Sequence, residues 1–236
     1  MSRRKSCRWP SGIPSSDVSD WLVWQLADSA FPTGGFAHSG GLEAAWQHGE
    51  IRGRADLLQF AEASLSQLGH AILPFVTAAH REPTRLTELD RLCDAFTSNH
   101  VANRASRLQG QALLASAERI FALPGLQRLR ETDHQPPCGH FAPVFGVVMG
   151  VLELDQSATA RLLFFQHLRG LIAGAVRLGI IGPMEGQSLQ HRLSLRAEEI
   201  LERCADLSLD DIAQTAPLQD LWQGAQDRLY SRLFQS

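Results

Sequence analysis

Apolar residues recur at helical spacing along most of the chain, and strict period-two alternation is rare. Asp17 or Ser19 is placed to cap a first helix carrying Trp21, Leu22, Trp24 and Leu26 and ending near Asp28. Ser29 to Phe36 reads as a loop from its Pro and Gly content, and Leu42–Trp46 as a short helix stopped by Gly49. Ala55 to Leu68 is amphipathic through Leu57, Leu58, Ala61, Leu65 and Leu68. Gly69 and Pro74 should break or kink the chain before a helix resumes to about His80. Thr87 with Asp90 resembles a capping box ahead of one long or two abutting helices over Leu86 to Phe121.

Pro124-Gly125 should end that run, and a short helix fits Leu126 to Arg130 before a loop over Thr132 to Gly139. His140 to Leu152 reads as an apolar helix with small residues. Asp155 is placed to cap the next helix, to Gly179, and Gly182-Pro183 separates it from another over about residues 184 to 206. Ser208 with Asp211 is a second capping-box candidate. A last helix over Leu218 to Phe234 would put Leu218, Leu221, Trp222, Ala225, Leu229 and Phe234 on one face. No run reads as a strand. The pattern predicts an all-α protein with no significant sheet: a flexible leader over 1–16, then a single compact domain over 17–236 with about nine to eleven helices.

Composition narrows the chemistry. The 236 residues are 44% hydrophobic and 20% charged, enough to build a core. The formal net charge is -3, against an electrostatic nucleic-acid binder. Lys5, in the polar leader, is the only lysine, which excludes a phosphate-cradling, Schiff-base or kinase-type lysine. Cys7, Cys93, Cys138 and Cys204 are widely spaced, neither a disulfide framework nor a zinc ribbon, and a reducing compartment is expected. The most apolar window, Leu162 to Ile181, contains His167, Arg169 and Arg177, so it reads as a buried helix rather than a membrane span.

Nucleotide-binding glycine loops and zinc-protease motifs are absent from the sequence. The densest ligand cluster is Asp133, His134, Cys138 and His140, whose imidazoles and thiol suit nickel, zinc or copper. It supports an alternative reading as a metal-dependent enzyme or metal-binding protein. The plainer reading makes His134 a solvated loop residue and His140 a helix-start packing residue. Cys93 and Cys204 read as buried small hydrophobes. Two segments stand out as contact surfaces: the Gly-rich loop Phe31 to Glu43, and the terminus Arg228 to Ser236, rich in the Tyr, Phe and Arg favoured at interfaces.

These segments resemble the UreF family of urease accessory proteins. That family's Pro-x-Gly-Gly-Phe-x-Tyr-Ser-x-Gly-Leu-Glu motif stands here as Pro32 to Glu43, and its Tyr-Ser-Arg-Leu-Phe-x-Ser tail as Tyr230 to Ser236. Asn103 to Gly110, Gly139 to Gly146 and Ala175 to Gly179, with Gly182 and Gly186-Gln187, resemble further family segments in order.

The resemblance implies an all-α, dimeric, cytoplasmic adaptor rather than an enzyme. It would bind UreD (also called UreH) and recruit the GTPase UreG so that nickel is loaded into apo-urease. The assembly would handle the nickel, and this chain would have no tightly bound metal or other cofactor of its own. Membrane and nucleic acid are not expected partners. The implied partner-binding residues are Pro32, Gly34, Gly35, Phe36, His38, Ser39 and Glu43 in the loop, and Tyr230, Ser231, Arg232, Leu233 and Phe234 in the tail. In the family the terminal segments become ordered on UreD binding, which would make Leu233 and Phe234 anchors and place Arg232 toward a polar or charged partner. Two departures stand out: His38 occupies the family's tyrosine position, and Gly224-Ala225-Gln226 stands where the family often has a histidine.

Overall fold

A computed structural model describes residues 15–122 and 139–236, with side chains from residue 20 onward. Most of the expected leader, the Leu126–Arg130 helix and the loop holding Asp133, His134 and Cys138 lie outside the described residues. The chain divides into two units, 1–31 and 32–236. In the first, α1 (Ser15–Ala27) ends in a turn where the Asp28 carboxylate accepts from Ala30 N at 2.8 Å. Trp21 and Trp24 stand exposed on this helix in edge-to-face contact.

The second unit runs α2 (Leu42–Gln47), α3 (Arg54–Gln67), α4 (Leu73–Arg81), α5 (Leu86–Phe96), α6 (His100–Phe121), α7 (Phe141–Val151), α8 (Gln156–Arg177), α9 (Pro183–Cys204) and α10 (Pro217–Ala225). The described residues contain no strand. The sequence of α7, FAPVFGVVMGV, is apolar on every side, so the helix must be buried on every side. It occupies the centre, packed on α4, α5, α6 and α8. Glycines permit that closeness. A Cβ on Gly146 would lie 2.3 Å from Val76 O of α4, and one on Gly110 would lie 2.1 Å from Gly139 O.

The start of α7 is capped from a distance. Asp90, fully buried on α5, accepts from Gly139 N at 3.2 Å and His140 N at 2.7 Å. The expected Thr87–Asp90 capping box is therefore not formed, and α5 begins without a side-chain cap. The carboxylate instead serves two otherwise orphaned N–H groups of a buried helix. Asn99 does cap α6, accepting from Val101 N and Ala102 N, and so splits the Leu86–Phe121 run in two. Asp155 caps α8, and the Ser208–Asp211 box forms over a short 3-10 turn.

Between α3 and α4 the expected break is instead a π-helical turn, Leu68–Ile72. Pro74 sits in the first turn of α4, where its missing N–H does no harm. The last helix also departs from expectation. It ends at Ala225, a 3-10 turn follows, and the chain then reverses. Leu218 and Leu221 face solvent, while Gln219 and Gln223 lie on Gly41, whose φ of +88° and lack of a Cβ allow the contact.

His167 of α8 bonds Ser64 Oγ of α3 at 2.7 Å, and burial pushes its pKa down to about 4. The unfolded chain protonates this ring near pH 6.5, whereas the folded chain resists until about 4. Between those values the unfolded state binds more protons, so stability falls as pH falls, by at most about 3 kcal/mol from this group. Urea titrations at pH 7.5 and 4.5 should show the loss, and His167→Asn should shrink the difference.

Candidate functional site

The two ends of the second unit meet. Gly34 takes φ +72° and opens a 3-10 turn, Gly35–Ala37. The tail runs alongside: Gln235 N donates to Ala37 O at 2.8 Å, and Ser39 N donates to Ser236 O. His38 Nδ1 and Ser236 Oγ are 2.6 Å apart. Burial, then the nearby positive charge of Arg104, pushes the His38 pKa down and favours a neutral ring.

Glu43 fastens the tail. Its side chain, 1% exposed, accepts from Leu233 N at 2.6 Å, Phe234 N at 3.1 Å and Gln226 Nε2 at 2.6 Å. The Phe234 ring lies beneath Arg177, with Cζ 4.3 Å from its centroid, and the same guanidinium donates to Phe36 O at 2.5 Å. Gln47 Nε2 donates to Ser231 O at 2.9 Å, and Ser116 Oγ to Pro32 O at 2.9 Å. Arg104 forks onto Asp227 at 2.8 and 3.1 Å, and Arg232 reaches the same carboxylate at 3.2 Å. The Arg104 hydrogen bond, more than any other contact, holds Asp227 below the usual carboxylate range.

The predicted site residues thus divide by role. Pro32, Gly34, Gly35, His38, Ser39 and Glu43 shape or hold the junction. Phe234 is 4% exposed and packs inward on the chain's own body. Phe36 at 75%, Tyr230 fully and Leu233 at 51% face outward, with Ser231 and Arg232 between them. A shallow groove of about 330 Å³, lined by Trp46, Gln47, Leu178 and Leu233, opens beside the tail. Arg177 and Arg104 do not stand out from the sequence as site residues. Their one signal there is membership of the Ala175–Gly179 and Asn103–Gly110 segments.

His140 is fully buried, with Nδ1 3.1 Å from Ser106 Oγ and Nε2 3.0 Å from Asp94 Oδ1. Ser106 Oγ accepts from Phe141 N, so its proton is free for Nδ1, and Nε2–H then donates to Asp94. Both ring nitrogens are engaged in holding α5, α6 and α7 together. Among the described residues no group of three or more His, Cys, Asp or Glu is disposed to hold a metal ion. Burial pushes the Cys93 thiol up to about 12 and also raises that of Cys204, which suits neither to nucleophilic chemistry. No helix among the described residues is long and apolar enough to cross a membrane.

A sequence model described as UreF matches residues 51–194. Urease accessory protein F of Oryza sativa subsp. japonica is 39% identical over 219 residues, spanning 91% of this chain and 84% of its own length. Urease accessory protein F of Arabidopsis thaliana is 38% identical over 239 residues, spanning 99% and 95%. Urease accessory protein UreF of Mycobacterium tuberculosis is 33% identical over 200 residues, spanning 82% and 92%.

Proposed function

The chain belongs to the UreF family of urease accessory proteins, and on that premise we propose that it is a non-catalytic, homodimeric scaffold of urease maturation in the cytoplasm. In this reading it holds UreD (UreH) through the surface built from its loop and tail, and the pair recruits the GTPase UreG. Nickel is cargo of the assembled complex on its way to apo-urease, not a resident ion of this chain. The observation that carries the reading is the meeting of two motifs almost 200 residues apart on one surface, with Glu43 as the fastener.

An adaptor needs a rigid base and exposed anchors, because ordering a loose tail at the moment of binding opposes association. Here the base is internal: Glu43, Gln226, Arg177 and Phe234 hold the segment. The anchors are Phe36, Tyr230 and Leu233, the first two of the aromatic kind enriched at interface cores. Replacing Phe36 and Tyr230 together by alanine should leave stability within about 0.5 kcal/mol, since both side chains are largely exposed. Capture of UreD in co-purification should fall by about tenfold or more. Undiminished capture by the double variant would remove this surface from the interface.

A further inference from the structure

We propose that the stripe formed by His100, Arg104 and Arg107 along α6, extended by Arg232 of the tail, is a docking groove for an acidic segment of a partner protein. The three α6 residues stand at i, i+4 and i+7, so they share one helix face over a rise of about 10 Å. A groove of about 590 Å³ runs beside them, lined also by Ser98, Asn103 and Leu108. The side chains of His100, Arg104 and Arg232 are 69%, 46% and 43% exposed, and Arg107 is exposed as well.

The local charge runs against that of the whole chain. Asp227 and Asp94 interact with these groups, and Asp220 lies close by, accepting from Asn99 Nδ2 at 3.1 Å. Asp227 is shared by Arg104, Arg232 and His100. Asp94 feels Arg107 but accepts its hydrogen bonds from Asn103 and His140. The guanidiniums of Arg104, Arg107 and Arg232 outnumber the two carboxylates that interact with them, Asp227 and Asp94, on a chain whose net charge is -3. A local excess of this kind attracts a short acidic segment, while the rest of the surface would repel a long polyanion such as nucleic acid. His100, Arg104 and Arg232 already gather on the carboxylate of Asp227, while Arg107 stands about one turn further along α6, so the stripe offers separate points to successive carboxylates rather than one cradle for a phosphate. Leu108, 47% exposed on the groove's lining, adds an apolar contact. Asp227 holds Arg104 in place by its fork, and Arg104 also bears on His38, so the groove is continuous with the loop–tail surface.

The test uses the full chain and a fluorescein-labelled peptide of glutamate, aspartate and leucine, read by anisotropy at low and high salt. Wild type should bind, more weakly as salt rises. Arg107→Glu should weaken binding about tenfold or more, and Arg107→Lys much less. Arg192→Glu, an exposed site on α9, makes the same change in net charge and should leave affinity within about twofold. Far-UV circular dichroism should be alike in all four proteins. The readout needs no urease protein, so it can fail while UreD capture succeeds, and the reverse. Equal losses in Arg107→Glu and Arg192→Glu, or no binding at all, would overturn the groove. So would displacement of the peptide by inorganic phosphate at matched ionic strength, or tighter binding of a labelled oligonucleotide.

Discussion

Replacing Glu43 by alanine should release the tail while leaving the helical body folded. The carboxylate serves the backbone N–H groups of Leu233 and Phe234 and the amide of Gln226, all buried or partly buried. A buried donor left without an acceptor costs about 1–3 kcal/mol. Three such donors exceed what a short terminal segment can bear, so the segment will peel away and its donors will find water. The total loss is then capped at the docking energy of the tail. Trypsin cleavage after Arg228 and Arg232 should quicken by tenfold or more, and amide exchange at Leu233 and Phe234 should approach that of a free peptide. Glu43→Gln keeps one acceptor oxygen but turns an NH2 toward the donors, so it should fall between. UreD capture should drop with tail release even though Phe36 and Tyr230 are intact. A Glu43→Ala protein with a protected tail would mean that the remaining contacts, among them Arg177 on Phe234, Gln47 on Ser231 and Gln235 N on Ala37 O, suffice to hold it.

Much of this was legible in the sequence because helices advertise themselves through apolar spacing, and α7 and α8 did so plainly. What the sequence hid was long-range. Thr87 and Asp90 have the right spacing for a local cap, but Asp90 is buried beside the start of α7 and serves that helix. Gln226 to Leu233 contains nothing that forbids a helix. It turns back because Glu43, far away in the chain, supplies acceptors that a continuing helix could not reach. The family resemblance implies Phe234 as an anchor for UreD, yet here its ring packs inward beneath Arg177 and close to Gly174. His38 in place of a tyrosine still reaches the tail, through Ser236. The family segments between the ends gain a physical meaning in the same way. Arg104 positions Asp227, Arg177 joins loop to tail, and Gly139 to Gly146 forms the capped, close-packed start of α7. Sequence order records these residues; only the fold shows that several of them serve one surface.

A large loss of stability should come from Gly146, with Gly170 as its matched opposite. Both lie inside helices, where alanine is intrinsically favoured over glycine by about 1 kcal/mol. At Gly170 of α8 an added Cβ meets nothing within 4 Å among the described residues, so Gly170→Ala should stabilise by about 0.5–1 kcal/mol. At Gly146 the same atom would lie 2.3 Å from Val76 O, 2.9 Å from Ala79 Cβ and 3.0 Å from His80 N. Two of those three are backbone atoms of α4, which no rotamer change can move aside. The helices must separate at the centre of the core, and the loss of packing should outweigh the propensity gain, leaving Gly146→Ala about 1–3 kcal/mol less stable. Gly146→Val adds two further methyl groups in the same place. It should exceed the margin by which most domains are folded, and little folded protein should be recovered. Urea unfolding of both alanine variants measures the pair. Equal shifts in the same direction would show that α4 and α7 do not touch as closely as described, and that propensity alone decides both sites.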